Sequence, residues 1–149
     1  MKMSNKNLRR TMLAGLALSV AVLSGCAGMG KAASGPMAVS LNGAQEVPPV
    51  TTPASGRASI TVSADKSVSG TVTTSGITAT AAHIHIGAAG KNGPVVVPMA
   101  KNGDNGWAIA PGAKLTDEQY AAYRAGNLYV NVHSAANPGG EIRGQLKGM

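Results

Sequence analysis

The sequence predicts an all-β domain, a small sandwich or barrel with one short helix. Three observations carry this. Apolar and polar residues alternate in runs of four to eight residues. Gly, Pro and Asn punctuate those runs at short intervals, as turns require. One stretch alone breaks the two-residue period, and it carries the start and stop signals of a helix.

The N-terminus precedes this domain. Lys2, Lys6, Arg9 and Arg10 are followed by the apolar stretch "TMLAGLALSVAVL", which is short for a spanning helix. The stretch runs into "LSGC", Leu23 to Cys26, which resembles a bacterial lipobox. Residues 1–25 therefore read as a lipoprotein signal peptide. The resemblance implies acylation of Cys26, which would become the mature N-terminus and attach the protein to a membrane through lipid. Cys26 is the only cysteine, so an internal disulfide is excluded. Residues 26–37, small and rich in Gly and Ala, read as a tether, and 38–149 as the domain. Ala27 is not the Asp that signals inner-membrane retention, which favours the outer membrane if the host is Gram-negative, with the domain in the periplasm or at the cell surface.

Charge narrows the partners. The chain carries 13 Lys and Arg against 6 acidic residues, a net +7. Four of the basic residues precede Cys26 and no acid does, so the mature chain holds about +3. No basic cluster with interleaved aromatics remains, and the sequence gives no case for nucleic acid. With no Phe, one Trp and three Tyr, the core must be built from Val, Ile, Leu and Ala.

Within the domain, "LNGAQEVPPVTTPASG" opens as an extended edge or loop, because Pro48 and Pro49 cannot donate to a ladder. "GRASITVSA" places Ala58, Ile60 and Val62 on one face; Asp65-Lys66 makes a hairpin turn into "SVSGTVTTSG". "TAAHIHIGA", "GPVVVPMA", "NGWAIAP", "NLYVNVHS" and "GEIRGQLKG" are further strands. The helix is "LTDEQYAAYRAGN": Thr116 and Gln119 form a capping box, Asp117 and Glu118 suit the positive helix start, and Arg124 suits its end. Gly126 supplies a left-handed stop, and Leu115, Tyr120 and Tyr123 pack the helix onto the sheet.

The three histidines fall in strands. Alternation puts Ile84 and Ile86 on one face and His83 and His85 on the other. Likewise Leu128, Val130 and Val132 oppose Tyr129, Asn131 and His133, and Ile142 and Leu146 oppose Glu141, Arg143 and Gln145. If these strands are neighbours, His83, His85, Asn131, His133, Glu141 and Arg143 converge. Three imidazoles are a ligand set for copper or zinc. Asn131 or Glu141 would then orient a ring through its second nitrogen, with Arg143 alongside. The competing reading is a set of ordinary strand histidines beside a Glu141–Arg143 ion pair. Met99 is a candidate soft ligand for Cu(I) or a packing residue. No catalytic set stands out: Ser134 directly follows His133 and points to the opposite face, and there is no phosphate loop and no paired carboxylates.

Three motifs, "LNGAQEVPPV", "AHIHIGAAGKNGPVVVPM" and "LTDEQYAAYRAGNLYVNVHSAANPGGEIRGQL", resemble the CHRD domain, named for chordin and found in many bacterial secreted proteins. The resemblance spans about Val39 to Leu146. It implies an immunoglobulin-like, Greek-key β-sandwich or barrel with limited similarity to copper–zinc superoxide dismutases. It implies no settled activity. Three histidines are too few for a dismutase's copper site plus its bridged zinc site, and the bracing disulfide is impossible; Arg143 as an anion guide rests on that analogy alone. The expectation is a lipid-anchored cell-envelope binding or interaction module with an envelope or extracellular protein partner. The alternative is a mononuclear copper or zinc protein, for metal buffering or redox chemistry.

Overall fold

A computed structural model describes residues 35–148. The signal peptide, Cys26 and nearly all of the tether lie outside the described residues. The elements are β1 (Met37–Asn42), a 3-10 turn (Gly43–Gln45), β2 (Ser55–Val62), β3 (Val68–Ser75), β4 (Ala79–Ile86), β5 (Val95–Lys101), β6 (Gly106–Ile109), α1 (Asp117–Arg124), β7 (Leu128–Ser134) and β8 (Ile142–Leu146). The strands close into an antiparallel barrel in the order β1-β2-β3-β6-β5-β4-β7-β8. β4, β5 and β6 are consecutive neighbours, and β7 returns through the helical connection to lie beside β4, which is Greek-key wiring. Of the two expected architectures, sandwich or barrel, the protein adopts the barrel.

The period-2 pattern accounts for the core. Ala58, Ile60 and Val62 on β2, Val68 and Val72 on β3, and Ile84 on β4 all point inward and are buried. Val130, Val132 and Ile142 are fully enclosed. Ile86 lies only half inside, packed against the edge of this cluster. At the β2–β3 hairpin Lys66 adopts the left-handed conformation, φ 68°. Asp65 steadies that turn, its carboxylate accepting from the Ser67 N–H at 3.1 Å and from the Ser67 hydroxyl. The helix is capped as the sequence requires. Thr116 Oγ1 accepts from the Gln119 N–H at 3.2 Å, and Gln119 Oε1 from the Thr116 N–H at 2.9 Å. Gly126 ends it at φ 76°.

One strand departs from the expected pattern. Residues 37–42 form β1, paired with β2 over six residues from Met37↔Ile60 to Asn42↔Ser55. Met37 therefore belongs to the barrel and not to the tether. Leu41 is buried, and Met37 and Val39 pack against the core beside it. The strand is short and abuts a small-residue stretch, so no turn signal marks its start. Its stability comes from the partner it closes against. At its far end β1 meets β8 through Asn42↔Arg143 and seals the barrel. The Pro-rich segment after it is the expected loop.

Candidate metal centre

The outer faces of β4, β7 and β8 form one surface. β7 runs between the other two, with Ala81↔His133, His83↔Asn131 and His85↔Tyr129 on one side and Tyr129↔Gln145 and Asn131↔Arg143 on the other. His133 is thus one pair along from the position opposite His83, within diagonal reach on the same face. This outward face is not bare. Loops cover it so thoroughly that Arg143 is 1% exposed and Asn131 2%.

The three imidazoles converge. Ring centroids are 4.9 Å apart for His83–His133, 5.6 Å for His83–His85 and 5.8 Å for His85–His133. One nitrogen from each ring lies within 4.8 Å of the others. Two backbone carbonyls assign the tautomers, because a carbonyl only accepts. His133 Nδ1–H donates to the Pro138 carbonyl at 3.0 Å, leaving Nε2 bare. His85 Nδ1–H donates to the Gly93 carbonyl at 2.9 Å, and its Nε2 is buried without a partner among the described residues. His83 Nδ1 then donates to His133 Nε2 at 3.0 Å.

Burial favours the neutral form of all three rings. Desolvation is the largest cause of a lowered pKa at each. The neighbouring rings add to it at His83. At His85, His133 and the Arg143 guanidinium add to it while the Gly93 carbonyl opposes it. At His133 the Pro138 carbonyl opposes it.

Neither Asn131 nor Glu141 orients a ring, contrary to expectation. Asn131 Nδ2 donates to Glu46 at 2.6 Å. Glu141 accepts from the Thr52 hydroxyl at 2.7 Å and from the Ser134 hydroxyl. Arg143 donates to the carbonyls of Ala88 at 3.1 Å and Lys91 at 2.9 Å and to the side chains of Asn92 and Gln145. Glu141 and Arg143 do not pair: two positions apart, they turn to different loops. Each acts one step further out. Arg143 grips residues 88–92, just ahead of the Gly93 carbonyl. Glu141 holds Ser134, whose hydroxyl accepts from the Asn137 N–H at 3.1 Å, ahead of the Pro138 carbonyl. Met99 is in the core, on the inner side of β5, so it is a packing residue.

Two contributors carried no signal that singled them out. Tyr129 stacks on His85 with centroids 4.9 Å apart and planes 9° from parallel, and its hydroxyl accepts from the Gly93 N–H at 3.2 Å. The Arg143 guanidinium lies 3.4 Å from the same ring's centre. Glu46, in "AQEVPP", is 5% exposed, and burial pushes its carboxyl up to about 7. The Arg143 charge and the Asn131 and Val47 hydrogen bonds oppose that rise.

These groups predict a two-sided pH profile. The histidines have folded pKa values below the unfolded value of about 6.5, so their contribution is full above that pH and is lost on acidification. Glu46 has a raised folded pKa, so its contribution is full below about 4.5 and is lost as pH rises to about 7. The two slopes oppose one another below about pH 6.5. In urea titrations Glu46→Gln is expected to remove the second slope, leaving stability that rises up to about pH 6.5 and then levels. An unchanged profile would refute the assignment to Glu46.

The CHRD domain family model matches residues 37–146, from the first residue of β1 to the last of β8. No curated protein and no solved structure matches the chain. The barrel, its closing strand and the three-histidine face all fall inside the matched segment, and the chain belongs to the CHRD domain family.

Proposed function

We propose that this protein is a lipid-anchored binding module of the bacterial cell envelope whose barrel holds one copper or zinc ion between His83, His85 and His133. Family membership points to a binding or interaction module. The metal reading rests on one observation: three imidazoles converge, and His85 Nε2 is buried with no partner among the described residues. An orphaned buried acceptor costs about 1–3 kcal/mol, and a metal ion would satisfy it. Metal–nitrogen bonds of about 2.0–2.1 Å require the nitrogens to draw closer than 4.8 Å. Side-chain rotations would supply that movement. His83 also shifts its proton from Nδ1 to Nε2, so the metal replaces the His83–His133 hydrogen bond.

Metal titration of the mature domain at pH 7.5 is expected to show one equivalent bound. Absence of stoichiometric binding would end the metal reading.

The anchor rests on the lipobox resemblance at Leu23–Cys26. Cys26→Ser is expected to move the protein from the membrane fraction to the soluble one. If the variant stays with the membrane at wild-type level, Cys26 does not carry the anchor.

A further inference from the structure

We infer that the three-histidine centre selects a monovalent ion, Cu(I), over the divalent ions Cu(II) and Zn(II). This rests on the metal reading above and narrows it to one charge state.

Charge decides the matter. Among the described residues the converging group holds three imidazoles and no carboxylate, so every donor is neutral. Neither nearby carboxyl is a donor to the ion: Glu46 is bonded to the Asn131 amide, and Glu141 to Thr52 and Ser134. A buried charge behind the centre has the wrong sign. Arg143, 1% exposed, presses its guanidinium on one ring, Tyr129, and Tyr129 stacks on His85. That guanidinium stays charged, and its field reaches His85.

The cost of taking an ion out of water grows as the square of its charge, so a divalent ion costs about four times what a monovalent one does. The repulsion from Arg143 doubles as well. Donor softness does not offset this, because imidazole suits both zinc and copper. Zn(II) also asks for a fourth ligand, and Cu(I) is content with three.

The test measures both oxidation states of copper in the mature protein. Anaerobic competition against a chromophoric Cu(I) chelator gives one affinity, and parallel competitions give those for Cu(II) and Zn(II). Cu(I) is expected to bind at least a hundredfold tighter than Cu(II). By a one-electron couple's 59 mV per tenfold, that places bound copper about 120 mV above the aqueous couple in voltammetry. Arg143→Gln is expected to narrow the ratio about tenfold, and Arg143→Lys, which keeps the charge and loses the loop contacts, to preserve it. Should Arg143→Gln fail to fold, the wild-type potential carries the test alone. Cu(II) or Zn(II) binding as tightly as Cu(I) would overturn this inference and leave the metal reading standing. Binding of no metal would remove both.

Discussion

Replacing His85 with alanine is expected to abolish stoichiometric metal binding while leaving the barrel folded. His85 is the most enclosed of the three rings, at 8% exposure, and the one whose free nitrogen has no partner. Groups that merely support a ligand typically account for 10- to 100-fold in affinity, so loss of a ligand itself should cost at least about a hundredfold. The effect on folding is small because two terms oppose one another. The variant loses the bond to the Gly93 carbonyl, worth about 1 kcal/mol, and some stacking against Tyr129. It also relieves the orphaned Nε2, whose burial costs about 1–3 kcal/mol. The net change should fall within about 1 kcal/mol of zero, as read by urea unfolding of the metal-free protein. Metal affinity unchanged in His85→Ala would remove this ring from the centre.

Gly93→Ala is expected to damage both the fold and the centre. A Cβ at Gly93 would lie 1.7 Å from the Ile86 carbonyl oxygen and 2.9 Å from its carbon. No rotamer change relieves that clash, because both partners are backbone. Ile86 N–H donates to the Pro94 carbonyl at 3.0 Å here, so the β4–β5 connection must open to admit the methyl. Overpacking of this kind costs about 3 kcal/mol. For a domain of this size that lowers Tm by roughly 10–20 °C. The same movement carries the Gly93 carbonyl away from His85 and releases the ring. Gly90→Ala in the same loop is the control. A Cβ there meets nothing within 4 Å, and only its φ of +73° resists substitution, at about 1 kcal/mol. Thermal melts and metal titrations of the two variants should therefore diverge. Equal behaviour would show that the close approach at Gly93 is not what positions His85.

The sequence by itself determined the features that backbone periodicity and near neighbours dictate. Alternation put Ile84 inside and His83 and His85 together outside, since successive strand residues point to opposite faces. The capping box at Thr116 and Gln119 and the turn at Asp65-Lys66 were legible because their partners lie within three residues. Six residues of β1 were not, because what holds them is a ladder to β2 that no local pattern encodes.

Only the tertiary structure decided that the histidine pair becomes a triad. His133 lies fifty positions from His83, and the β4–β7 register, Ala81↔His133, brings their rings to 3.0 Å. A shift by one residue would have turned His133 to the other face. The groups that aim the rings were equally hidden. The Gly93 and Pro138 carbonyls are backbone atoms that every residue possesses, so no residue type announces them. Asn131, Glu141 and Arg143 were found by side-chain chemistry, yet they bind the covering loops and not the rings. Local geometry chose the face each side chain points from, and long-range strand pairing chose what it meets there.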